Sequence, residues 1–341
     1  MIAGLIILLL VILFIPFLVK AVEHNLEYFL FVMGIIGVII SKQMNLKLFE
    51  HILQNKLLYY ITFAVLIAGM LFFFFRNKIN RLIEVLTNKI SIQIFTFIII
   101  VILGLSSSFI TAIIASLLLT EIMHHTPLDR NTKLKVIVLA CFAIGFGAAL
   151  TPVGEPLATI TISKLKADFF YLARAIGFEI IITILLMAFL AALIVKKANK
   201  VDKDEYIENT EDIKDVFLRA FKVFVFVFAL ELLGTAFKPL IDLYIIKLDA
   251  KILYWVNMIS AIVDNATLAA AEVSKEMTNE QVRAIILGMI ISGGMLIPGN
   301  IPNIISAGKF KIKSKEWAKI GVPMGLILMV IYFIMVFIVK V

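Results

Sequence analysis

Two carboxylates stand where a charge is least expected. Asp264 lies in Ser260-Ala261-Ile262-Val263-Asp264-Asn265-Ala266-Thr267, far from any charged loop, and Glu155 lies in Thr151-Pro152-Val153-Gly154-Glu155-Pro156. A carboxylate at a bilayer centre costs about 2.5–3.5 kcal/mol on insertion scales, so each one asks for a reason. Beside Asp264, Asn265 and Thr267 add an amide and a hydroxyl. A carboxylate with neutral oxygens is hard-ligand chemistry, suited to Na⁺ and not to a soft metal. Held out of water, such a group can also exchange a cation for a proton. The plainer alternatives are an aspartate capping a half-helix and a glutamate ending a loop.

Ser107, Ser108, Thr111, Thr151, Asn300 and Asn303 are further neutral ligand candidates. Hydroxyls in membrane helices often bond only the preceding turn, so the serines have a structural reading as well. Glu179 and Glu231 stand near helix ends, where they face the bundle or reach headgroups. Glu121, His124 and His125 follow an apolar limb and fit a surface better than a proton relay. Cys141 is the only cysteine, which rules out an intrachain disulfide and any cysteine-based metal site.

The elements that must carry these residues are set by composition. Of 341 residues 62% are apolar and 16% charged, and mean hydropathy is +1.06. Soluble domains lie near 45–50% apolar and roughly 25% charged, so an ordinary soluble enzyme is excluded. Apolar segments suited to spanning occupy residues 2–19, 26–41, 57–75, 171–195, 216–233 and 317–339. The first has no basic flank and no small-residue cleavage site after it, so it is expected to be a retained span, not a signal peptide. Residues 42–56 and 76–89 mix apolar and basic residues and suit either interfacial helices or loops.

Three regions are apolar but interrupted. Residues 90–123 carry Gly104-Leu105-Ser106-Ser107-Ser108, residues 135–162 are broken at Pro152, Gly154 and Pro156, and residues 252–307 hold Asp264-Asn265 and then Pro298, Gly299 and Pro302. The two breaks correspond. At an offset of 146, Gly147 meets Gly293, Pro152 meets Pro298 and Pro156 meets Pro302, while Glu155 meets Ile301. Upstream, at an offset of 156, Ser108-Phe109-Ile110-Thr111 falls opposite Asp264-Asn265-Ala266-Thr267. Paired broken segments point to the binding site of a secondary transporter, because freed carbonyls and amides survive only beside protein or a wet cavity.

The expected fold is an all-α polytopic membrane protein with inverted repeats, each holding a re-entrant hairpin and a broken transmembrane helix. Residues 1–56 form N-terminal helices and an interfacial segment, 57–195 the first repeat, 196–215 a charged cytoplasmic linker, and 216–341 the second repeat. With a hairpin whose tip is Ser106–Ser108, its limbs too short to cross, the first repeat crosses three times and the second starts on the opposite side. This topology puts 20 of the 32 Lys and Arg on one face and 12 on the other. The richer face is then cytoplasmic and both termini lie outside. The net charge of +8 thus reports orientation, with no nucleic-acid partner implied.

These motifs resemble the ion-transporter superfamily of arsenite permeases, NhaD-type sodium/proton antiporters and citrate or dicarboxylate carriers. Residues 260–265 with Thr267 are similar to that superfamily's hairpin tip, and residues 151–156 to the NhaD-type break. More closely, the chain looks like a little-characterised prokaryotic group of cation transporters. The resemblance implies cation sites near the midplane in a prokaryotic plasma membrane, with Na⁺ at Asp264, Asn265 and Thr267. It leaves room for a homodimer. No clean Ser-Asn-Thr occurs at either tip and no arginine at either break, which departs from the carboxylate carriers.

The leading expectation is a Na⁺/H⁺ antiporter that exchanges its ions at Asp264 and Glu155, with lipid and small inorganic ions as its partners and no bound cofactor. An anion carrier for dicarboxylate or arsenite, Na⁺-coupled or uniporting, is the alternative. An enzyme is not expected: there is no HExxH pair, no GxSxG elbow and no acidic pair with metal-ligand spacing.

Overall fold

The computed structural model describes residues 1–23, 25–56, 58–60, 62–63, 66–67, 69–70, 73–75, 78, 90–196, 212–240, 243–244, 247–262 and 265–339. Among them the fold is helical, without a strand. The chain opens with α1 (Ile2–Leu18), α2 (Lys20–Glu23), α3 (Leu26–Ile40) and α4 (Leu46–Gln54), and the residues described between 58 and 75 are helical. Then follow α5 (Ile92–Ile110), α6 (Ala112–His125), α7 (Arg130–Ala148), α8 (Pro156–Leu165) and α9 (Tyr171–Lys196). Most of the charged linker lies outside the described residues. Beyond it come α10 (Ile213–Leu240), α11 (Ala250–Val256), a 3-10 turn at Asn257–Ala261, and α12 (Asn265–Glu272). Next are α13 (Asn279–Gly293), a 3-10 turn at Ile297–Gly299, α14 (Ile301–Lys309) and α15 (Ser314–Phe333), which widens to a π-helix to Val339.

Among the described residues four helices are long and apolar enough to cross a membrane: α5, α7, α9 and α15 with its extension. Their outer faces explain the composition. On α9, Phe178, Ile181, Leu185 and Phe189 are exposed, whereas Ile176, Ile180, Thr183 and Met187 on the other side are buried. A helix that is apolar on its exposed face as well as its buried one has lipid for a solvent. The chain is a membrane protein. Side-chain caps mark several helix starts: Asp129 accepts from the amides of Asn131 and Thr132 at 3.0 Å each, and Thr278 with Gln281 forms a capping box. Hydrogen bonds from Thr132 hold the Asp129 carboxyl below its usual range.

Inside, α7 is buried along most of its length, between α5 and α9, which also pack on each other. The second interior helix is α13, packed by α11, the 3-10 turn after it and α15. The short helices pair across the two halves: α8 lies against α12, and α6 against α14. At the side of this body α10 packs on α12, and α3 lies along α10 with α1 beside both.

One expectation is corrected. The turn after residue 90 is at Thr111, not at Ser106–Ser108, and α5 runs unbroken for 19 residues through the serines, long enough to cross. The three hydroxyls donate back into their own helix, Ser107 to Gly104 O and Ser108 to Leu105 O at 2.7 Å each, and Ser106 to Leu103 O at 3.5 Å. They therefore supplement the helix instead of ending it. At Thr111 the backbone takes φ 77° and ψ 150°, a region nearly confined to glycine that costs of order 1–3 kcal/mol. The next amide, Ala112 N, leaves the helix pattern and donates to Gly154 O at 2.8 Å.

Candidate functional site

The first break, residues 149–155, holds that turn in place. Gly154 supplies the carbonyl for Ala112, and the Thr151 hydroxyl donates to Ser108 O, one of the carbonyls that the turn leaves without a helical partner. Pro152 O accepts from the Thr159 hydroxyl of α8. A methyl group on Gly154 would lie 2.1 Å from Ala148 O, so the loop folds back on the end of α7 more closely than any other residue allows. The Ser108, Pro152 and Gly154 carbonyls each meet a protein donor here, as a buried break requires. Thr151→Val removes the donor to Ser108 O, and the stranded carbonyl should lower stability by about 1–3 kcal/mol. Thermal melts of the detergent-purified protein check this, with Thr151→Ser staying near wild type.

The second break is built from amides instead of hydroxyls. Asn303 Nδ2 donates to Gly293 O and Leu296 O at 2.8 Å each, and Trp317 Nε1 donates to Gly294 O at 3.1 Å. Asn265, first residue of α12, turns its amide nitrogen toward the Ser260 hydroxyl, Met289 O (3.1 Å) and Gly299 O (3.3 Å). A methyl on Gly299 would lie 2.6 Å from both Gly293 O and Ser260 O. Here too a turn between short elements is tied to a proline break. Asn303 Oδ1 is buried without a donor among the described residues.

The two breaks meet through α7. The Cys141 thiol lies 3.2 Å from Ser306 Oγ and 3.4 Å from Pro302 O, and a methyl on Gly145 would lie 2.3 Å from Asn300 Nδ2. Glu155 and Asn300 are the N-caps of α8 and α14, both buried, and neither caps its own helix with its side chain. By helix position the counterpart of Glu155 is therefore Asn300, one residue before the Ile301 selected by the offset. Pro156 and Pro302 sit in the first turn, where a missing amide costs nothing.

Of the candidates, Ser108 and Thr151 are brought together at the first break, and Asn265, Gly299 and Asn303 at the second. The Ser107 hydroxyl also lies 3.0 Å from Ile144 O, between α5 and α7. Thr111 caps α6 through its hydroxyl, 3.4 Å from Ile114 N. Asp264 lies outside the described residues, as does the side chain of Thr267.

Sequence reasoning left two arrangements unseen. Glu179 does not reach for headgroups: it is buried and paired with Arg283 of α13, while Tyr332 OH donates to its carbonyl at 2.6 Å. Arg283 also lines an open cavity of about 560 Å³ with Tyr171, Arg174, Asn279 and Glu280. At its rim Arg174 lowers the pKa of Asp168. The other arrangement is Glu272, buried at the end of α12, where Asn257 Nδ2 donates to its carboxylate at 2.8 Å. Its signal was the spacing from Asn265, seven residues or two helical turns, which puts both on one face.

A family model described as a protein of unknown function (DUF1646) matches residues 2–339. The chain belongs to this family. The DUF1646 match takes in both proline breaks, the short helices behind them and the Glu179–Arg283 pair, so the whole site lies within it. No curated protein matches this DUF1646 chain.

Proposed function

We propose that the protein is a secondary active cation transporter, a Na⁺/H⁺ antiporter working at the two breaks. The carrying observation is the pair of buried, proline-started helices, α8 and α14, whose N-cap residues Glu155 and Asn300 are not used as caps. Irregular backbone at membrane depth is tolerated beside protein or a wet cavity, and paired breaks of this kind are where secondary transporters hold their ions. The crossed packing of α8 on α12 and α6 on α14 supports a reading of two inverted repeats, each joining a turn between helices to a proline break. In this reading Asp264 and Glu155 exchange Na⁺ for H⁺, and Thr151, Asn265, Thr267 and Asn303 supply neutral oxygens. Exposure alternates as one repeat moves against the other. The linker side faces the cytoplasm of a prokaryotic cell.

The test is purified protein in proteoliposomes loaded with a pH-sensitive dye. Sodium addition should change internal pH, and Asp264→Asn should abolish the response. An undiminished response in that variant removes Asp264 from the exchange. Labelled dicarboxylate uptake in place of a sodium response replaces the antiporter with an anion carrier.

A further inference from the structure

Glu272 is the last residue of α12, six percent exposed, and its carboxylate has a single partner among the described residues, Asn257 Nδ2 at 2.8 Å. The elements packed around α12 carry Lys164 on α8, Glu231 and Lys238 on α10 and Arg283 on α13, and Lys251 and Tyr254 lie on α11. None of them reaches the carboxylate: Glu231 holds Asn55, Arg283 holds Glu179, and Tyr254 OH donates to Met329 O. A buried carboxylate without a cation is strongly disfavoured. Its position adds to this, because the C-terminal end of a helix carries partial negative charge and favours a cation.

The same Asn257 supplies the second observation. Its side chain is fully buried, and while its nitrogen serves Leu253 O (2.9 Å) and Glu272, its Oδ1 has no donor among the described residues. The residue is fixed from the other side by Ser292, whose hydroxyl lies 2.9 Å from Asn257 O. A lone amide oxygen on the group that touches a lone carboxylate is half of a hard-cation site. We infer that Glu272 and Asn257 form a binding site for a monovalent alkali cation, separate from the turn at Asn265. One carboxylate neutralises one positive charge, whereas calcium sites gather several acidic oxygens. Seven residues of helix set Glu272 about 10 Å from Asn265 along α12. Toward the other end, Lys275 and Glu276 are already exposed, so the site stands where an ion from that face would first leave water. The site rests on the transport reading for its use, and on Glu272 and Asn257 alone for its chemistry.

The experiment is carbodiimide labelling of the full chain in detergent with dicyclohexylcarbodiimide, which attacks carboxyls in apolar surroundings, read by mass spectrometry of the Glu272 peptide. At fixed pH the adduct should be about tenfold lower in sodium chloride than in choline chloride of equal ionic strength, as expected for sodium at roughly ten times its dissociation constant. Protection should persist in Asp264→Asn and vanish in Asn257→Leu. Equal labelling in sodium and choline overturns the site, as does loss of protection in Asp264→Asn, which would place the sodium at the turn. Protection in a protein that shows no sodium-driven pH change retains the site and removes the antiporter reading. Exchange without protection does the reverse.

Discussion

Gly147→Ala will prevent the protein from accumulating in a stable folded form. Gly147 lies near the end of α7, against α5, and a methyl group there would sit 1.7 Å from Gly104 O, 2.6 Å from the Gly104 carbonyl carbon and 2.8 Å from Ser107 Oγ. The first two are backbone atoms and cannot rotate aside, so the helices must separate. Separation also stretches the Ser107 hydroxyl away from Ile144 O. Membrane helices associate through close packing of small residues, with little hydrophobic drive to compensate for a lost fit. Overpacking of this severity should cost about 3 kcal/mol or more, against total stabilities of roughly 5–15 kcal/mol. Gly177→Ala is the control. Its methyl meets only Leu150 Cδ2, at 3.8 Å, and alanine favours the helix by roughly 0.5–1 kcal/mol. Size-exclusion profiles and thermal midpoints should separate the two variants in opposite directions from wild type; coincident midpoints would refute the crossing.

Arg283→Met should be the second severe substitution, and Glu179→Leu added to it should restore most of what was lost. The Glu179 side chain is 3% exposed and that of Arg283 26%, so the arginine shields a carboxylate that has almost no water. Removing the arginine alone strands that charge, which typically costs about 3–5 kcal/mol. Removing both partners leaves an apolar contact between α9 and α13, and such exchanges are often neutral. Tyr332 and Thr183 keep their bonds in every variant, since they involve the Glu179 carbonyl and each other. A double-mutant cycle on thermal midpoints measures the coupling. Additive losses, or a wild-type midpoint for Arg283→Met, would show that the pair is solvated.

Both breaks were legible from the chain, because proline and glycine in a long apolar run have only a few structural uses. The turn before the first break was misplaced by three residues for a local reason. Serine favours caps and turns in water, but Ser106, Ser107 and Ser108 bond the preceding turn and let α5 continue. What ends the helix is the Gly154 carbonyl, 42 residues away in sequence, taking the Ala112 amide. The Glu179–Arg283 pair was illegible for the same kind of reason: only packing of α9 on α13 brings together residues that hydropathy assigns to separate ends. Glu272 is followed closely by Lys275 and Glu276, so hydropathy alone gives no sign that it is buried. Its burial comes from α8, α10 and α13 closing around α12. A single polar residue within an apolar run announces itself, whereas one at the end of a short helix does not.

The crossed contacts of α8 with α12 and α6 with α14 have a consequence for biogenesis. When residues of the first half enter the bilayer, α6 and α8 are complete but the surfaces that will cover them have not been made. The first half therefore cannot reach its final packing during its own synthesis and must wait, partly assembled, for the remainder of the chain. Contacts so distant in sequence make assembly slow and leave an intermediate open to wrong partners. Residues 196–215 are too densely charged to enter lipid, so the chain between the waiting half and the late arrivals α12 and α14 stays in water throughout.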